Sequence, residues 1–548
     1  MSRVLIAASI LAAALALAPA GEPDGGTVAQ PGEKLGQREV AFHCLNRLAY
    51  GPAPGEVDDL LKRGWMAWAL EQLEPGSIDD SALEARIARD CPIMALSDTE
   101  AIAAFRPPRP KNRQDLTPEE QLALQREANR LRQSAMEQLR SAVLLRAALS
   151  RRQFFEVVAN FWRNHFSIDQ QKDQCQILGA SYEEQVIRKH AFGKFEDMLV
   201  ASAKHPAMLV YLDNVLSQRP MTERERAMVE RALANRKKSE FIQKLERSRG
   251  LNENYAREVM ELHTVGVRNE NIPGGYTQQD VIAVARSLTG WTVSFGEDRV
   301  GFTFRKEWHD EDPKSISVLG LKFPGGGGVE EGEEILRRLA RHPLTAEFIS
   351  WKLCRHLVND VPPEALVRAV AAEYLKTGGD LKAVYTAILF SPEFYSRANF
   401  RAKFKTPFEF AVSALRATGS SIEDTTETLR MLEDMGQPIY RCKDPTGYYD
   451  QAEAWLDPGT LVYRWTFALR LASGKMRGIT LPPDFYKPIL DMKPDAMRDA
   501  LAGAILPGGV DPATARRCGE IVGGDFRPRD RAQELLGTLL GSPTFQEQ

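Results

Sequence analysis

Residues 117–149 read TPEEQLALQREANRLRQSAMEQLRSAVLLRAAL, and their reading decides the fold class. Thr117 is a capping hydroxyl, Pro118 fits a first turn that needs no backbone N–H, and Glu119 and Glu120 sit at the positive end of the dipole. A helix is expected from there to Leu149. Upstream, Arg38 to Tyr50 carries apolar residues at helical spacing and stops at Gly51-Pro52. Pro54 to Leu73 predicts a second helix, with Leu61, Trp65 and Trp68 on its buried face. Residues 76–116, with Pro107, Pro108 and Pro110, read as short elements and a loop.

Downstream, FFEVVANFWRNHF (154–166) is strongly apolar and aromatic, and helical patterns recur at about 182–190, 195–202 and 206–212. They resume at 332–341, 345–358, 363–376, 381–389, 407–418, 425–435 and 459–472, with short helices after Pro482. Beta signal is confined to the middle. Val300, Phe302 and Phe304 alternate with Gly301, Thr303 and Arg305, the period of a half-buried strand. Ser315 to Leu321 is its expected partner and Lys306 to Lys314 the connecting loop. Glycines 325–328 read as a flexible turn; without a following Lys-Ser/Thr they are no phosphate loop. The expectation is a mainly α chain: a large multi-helix globular body with one small β-hairpin insertion.

Arg3, the apolar run Val4–Leu17 and the small residues Ala18-Pro19-Ala20 have the layout of a secretory signal over 1–20. The apolar run is short of the ~20 residues a membrane span needs, so no stable span is expected after cleavage. The expected address is the periplasm or the exterior, with 21–35 as a leader. The chain has 548 residues, 43% hydrophobic and 26% charged, with a net charge of −3. That balance argues against a nucleic-acid binder, whose footprint is basic. Six widely spaced cysteines without a CxxC pair disfavour a Cys-rich zinc site or attached haem.

Several long, ordered motifs run along the chain. They begin with FWRNHF (161–166) and MLVYLDN (208–214), then Asn252-Glu253-Asn254-Tyr255-Ala256-Arg257-Glu258 continuing as VMELHTVGV. Gly275–Val281, Ala285–Trp291, His309-Asp310 with Lys314, and HPLTAEFISWKLCRHLV (342–358) follow. SPEF (391–394), KTPFEFAVSALRATG (405–419) and MGQP (435–438) complete the set, and together these stretches resemble the DUF1800 family, exported bacterial proteins of undetermined biochemical function. The resemblance implies export and a helical domain over 36–475, with a C-terminal helical region, 476–548, packed on it. The charged segment 217–249 reads as a solvated insertion, and RCKDPTGYYD (441–450) departs from the family pattern. Relatives stand beside a second exported family, DUF1501, which implies a partner of that kind; nucleic acid is not expected.

The residues themselves suggest one place for chemistry. On a helix, Asn254, Glu258 and Glu261 share a stripe and Glu253, Arg257 and Glu261 an adjoining one. Glu258 and Glu261 can coordinate a divalent metal ion if other oxygens complete its shell. His309 and Asp310, on the expected loop, can add an imidazole and a carboxylate. The expected site therefore lies between 252–263 and 306–314: Glu258, Glu261, His309 and Asp310 hold a metal and activate water, and Arg257 stabilises negative charge. The competing reading is an Arg–Glu packing network in a non-catalytic envelope scaffold that binds a partner. His165 is open between a site role with Asn164 and a helix-end hydrogen bond. Thr277 and Asp280 have capping-box spacing. No GxSxG, HExxH or dinucleotide fingerprint stands in a suitable context.

Overall fold

The computed structural model describes residues 35–107, 116–234, 250–267, 275–296 and 298–548. The expected signal and almost all of the leader lie outside them, as do residues 235–249 of the charged segment. The chain is mainly α, with three two-stranded antiparallel sheets among the described residues. No described helix is long and apolar enough to cross a membrane.

The deciding stretch forms one helix, Pro118–Leu149, opened by a Thr117/Glu120 capping box. Its polar first half is largely exposed, whereas Leu139, Ala142, Leu144 and Leu145 run through the core. Glu56–Arg63 and Trp65–Gln72 replace the single helix expected over 54–73. Gly64, at φ +84°, breaks it, which leaves Leu61 exposed and Trp68 buried.

The aromatic stretch forms the helix Gln153–His165. Trp162 is fully buried and donates from Nε1 to the Tyr385 hydroxyl at 2.6 Å. A π-helical turn, Glu183–Arg188, braces this helix with ion pairs. Arg163 meets Glu183 at 2.7 Å and Arg188 meets Glu156 at 2.8 Å, and the Tyr440 hydroxyl donates to Glu183. The first described helix, Gln37–Arg47, is sealed by distant chain: His43 Nε2 donates to Phe394 O, and Arg47 Nη2 to the carbonyls of Val358 and Asn399.

The strand at Val300–Phe304 is present, but its partner is not 315–321. It pairs with Trp291–Phe295, whose aromatic and β-branched residues suit a pleated surface. Lys314–Ile316 instead turns back at Ser317–Gly320, where Gly320 has φ +61°, and pairs with Leu321–Phe323. Ser421–Ile422 with Ile479–Thr480 is the third sheet. At Gly290, φ +79°, a Cβ would stand 2.5 Å from Arg305 O. The expected flexible turn at 325–328 is packed: a Cβ on Gly325 would meet Glu311 O, one on Gly327 would meet the Glu331 side chain, and Gly327 N donates to Glu331 Oε1.

Candidate functional site

The residues singled out between 252–263 and 306–314 stand in two different surroundings. His309 is buried and donates from Nδ1 to Thr289 O at 2.9 Å, with Nε2 3.6 Å from Glu331 Oε2. Glu331 in turn lies 2.8 Å from Lys314 Nζ. Asp310 takes a bidentate pair from Arg286 at 2.7 and 2.9 Å and closes a turn through Asp312 N. Arg286 and Lys314 thus pair the two carboxylates of this chamber from within the protein, while His309 Nε2 has no hydrogen-bond partner among the described residues.

Glu258, Glu261 and Arg257 lie on the helix Asn254–Glu261. Arg257 Nη2 donates to Gln278 Oε1 at 3.0 Å and lies 3.4 Å from Glu253, and Nη1 lies 3.8 Å from Glu261. Burial, together with the neighbouring charges of Glu261 and Asp444, holds the Glu258 carboxyl above its ordinary value against the pull of Arg257. No hydrogen bond or ion pair among the described residues joins these carboxylates to His309 or Asp310. Nor is any group of three His, Cys, Asp or Glu described residues placed to hold a metal ion.

A second polar centre forms where the stretches resembling family motifs converge. His165 ends the Gln153–His165 helix, buried among Phe161, Trp162, Phe166 and Phe195. Its Nε2 donates to His263 O at 3.1 Å, so Nδ1 carries the lone pair that accepts from Lys352 Nζ at 3.0 Å. His165 thus bonds neither Asn164, which is engaged by the Tyr448 backbone, nor a carbonyl of its own helix end. Burial, then Lys352 and His263, keep the His165 imidazole neutral far below its usual range. His263, in the turn after the Asn254–Glu261 helix, is buried with both ring nitrogens unpartnered, and burial lowers it to about 3.

Lys352, Arg355 and His356 belong to the helix Pro343–Leu357. Burial lowers the Lys352 ammonium to about 8, although Asp450 opposes the shift. His356 donates from Nδ1 to Asp450 Oδ2 at 3.2 Å. Its Nε2 has no protein partner among the described residues. Burial alone would raise the Asp450 carboxyl, yet Lys403 and His356 hold it below the usual carboxylate range. Lys403 stands 2.6 Å from Asp360 and 3.3 Å from Asp450.

The 441–450 loop that carries Asp450 is docked by one amide. Asn164 Nδ2 donates to Tyr448 O at 2.8 Å, and Tyr448 N donates to Asn164 Oδ1 at 2.7 Å. Gly447, at φ +76°, makes room, since a Cβ there would collide with Asn164 O. The sequence reading missed His356, Asp450, Lys352, Arg355 and His263. The available signal was WKLCRH, which spaces Lys352 and His356 four apart and so puts an ammonium and an imidazole on one helix face.

This arrangement can move a proton. An imidazole whose Nδ1–H is held by a carboxylate offers its Nε2 lone pair to an acid, and the carboxylate stabilises the imidazolium that forms. A family model described as a protein of unknown function (DUF1800) matches residues 43–547. No curated protein and no solved structure matches.

Proposed function

The chain belongs to the DUF1800 family, and on that premise we propose that it is an exported hydrolase in which His356, oriented by Asp450, is the general base. The observation that carries this reading is the His356–Asp450 contact at 3.2 Å with Nε2 left unpartnered. Water at Nε2 gives up a proton as its oxygen bonds to the electrophilic centre of the substrate. The proton then passes from His356 to the leaving group as the scissile bond breaks. Asp450 keeps Nδ1 protonated throughout, and Lys403 and Asn164 hold Asp450 and its loop in place. The signal-like layout of residues 1–20 supports export.

A second reading rests on Glu258, whose raised carboxyl faces Glu261 and Asp444 with no hydrogen-bond partner among the described residues. A divalent metal ion there relieves that repulsion. In this reading Glu258 and Glu261, beside Arg257, keep the metal-binding roles expected of them, whereas His309 and Asp310 stay in their own chamber. If instead those groups only pack, a partner-binding envelope scaffold, with an exported DUF1501-type partner, is what remains.

One experiment separates the readings. The purified full chain is assayed against a panel of acyl and phosphoryl esters beside H356A, D450N, E258A and H309A, with elemental analysis of each. The base reading expects H356A and D450N to lower turnover by ~10²–10⁴-fold, with metal content unchanged. Turnover that survives H356A overturns it. Metal lost in E258A but kept in H309A, and activity lost with it, supports the second reading. A wild-type chain inert on the whole panel leaves the scaffold.

A further inference from the structure

On one face of the Pro343–Leu357 helix, Lys352 and Arg355 carry more donors than the described residues satisfy, beside the free acceptor nitrogen of His356. Lys352, Arg355 and His356 are three and four residues apart and form a single stripe. Among the described residues Lys352 makes no ion pair; the group it bonds is the neutral ring of His165. Arg355 makes neither a hydrogen bond nor an ion pair, and its Nε is buried without a partner. The guanidinium lies 3.8 Å from the centroid of the Trp351 ring. That stacking fixes the plane of the donor fork while leaving its edge unspent. His356 commits Nδ1 and keeps Nε2.

The acid nearest to answering these cations is Asp450, which acts on both Lys352 and Arg355. It is already engaged by His356 and by Lys403. Half-buried cations without a counter-ion are costly, and an anion seated between them offsets that cost. A planar guanidinium beside an ammonium suits an oxyanion with two or more oxygens.

We propose that Lys352 and Arg355 form the anion subsite of the His356 centre, so that the substrate carries a carboxylate or phosphoryl group held beside the bond that His356 helps to break. This rests on the base reading for its chemistry but stands on its own geometry as a binding site. The anion lies between the ammonium and the guanidinium edge, one helical turn from Nε2. Arg355 sets its orientation and Lys352 supplies a point charge.

The full chain is titrated with inorganic phosphate and with acetate, against chloride at matched ionic strength. Binding is read from the side-chain nitrogen resonances of Arg355 and His356, and from protection of Lys352 against trinitrobenzenesulfonate. Saturable binding of phosphate or acetate is expected; phosphate alone assigns a phosphoryl substrate and acetate alone a carboxylate. R355Q and K352M should each weaken it about tenfold or more, the scale of a lost charge-assisted hydrogen bond. H356Q should hold affinity within about threefold, since it removes the base and neither cation. Binding retained in H356Q while hydrolysis persists sinks the base and leaves the subsite. Hydrolysis that needs His356 in a chain binding neither anion overturns the subsite alone. Wild-type affinity in R355Q and K352M also overturns it. Should circular dichroism show R355Q unfolded, K352M and R355K decide.

Discussion

Glu183 shows how a single buried carboxylate can hold a site it never touches. It pairs with Arg163 at 2.7 Å and accepts from the Tyr440 hydroxyl, in surroundings where both charges are shielded from water. Removing one partner leaves the other buried and uncompensated. E183A is therefore expected to cost about 3–5 kcal/mol in urea unfolding, while an R163M/E183L pair recovers much of the loss. A double-mutant cycle checks it. At this scale the sequence was partly legible. The capping residues Thr117, Glu120, Thr277 and Asp280 could be read because their job is local. His309 drew attention as a loop histidine beside an acid with Lys314 close in sequence, but Arg286 and Glu331, which complete its surroundings, lie more than twenty residues away on either side. His356 lacked a nearby cue, because its carboxylate lies 94 residues away.

Among elements, the 441–450 loop is the part whose position the centre requires. It is clamped to the end of the Gln153–His165 helix by Asn164, at a point where Gly447 must be left-handed. G447A places a methyl against Asn164 O and imposes an unfavourable φ. The expected cost is about 1–3 kcal/mol from each effect, with the loop lifted and the imidazole of His356 no longer held in its Nδ1–H form. Thermal melts give the first quantity and imidazole nitrogen shifts the second; an unchanged tautomer in G447A would mean that the loop does not orient His356. Helices were the most legible elements, because period, caps and stops are all written locally. The hairpin partner of Val300–Phe304 was misassigned because Trp291–Phe295 adjoined a helix-rich motif and its strand period was overlooked.

Across the whole molecule, buried neutral histidines tie stability to pH. Burial lowers His43, His205 and His263 each to about 3, so between there and the ordinary 6.5 the unfolded chain binds protons that the folded chain refuses. Their contribution is complete above that window and is lost as pH falls through it. Lys405, lowered to about 7, and Lys352, to about 8, act in the same sense on the alkaline side: stability rises from those values toward the ordinary lysine range. Urea midpoints should therefore climb from acid to mildly alkaline pH. A flat profile between 3 and 6.5 would contradict the neutral histidines. The seal on the helix Gln37–Arg47 has a kinetic consequence. Its acceptor carbonyls at Val358, Phe394 and Asn399 emerge from the ribosome more than 300 residues after His43 and Arg47. Vectorial synthesis thus cannot seal the Gln37–Arg47 helix early, and that seal must wait until most of the polypeptide has been made.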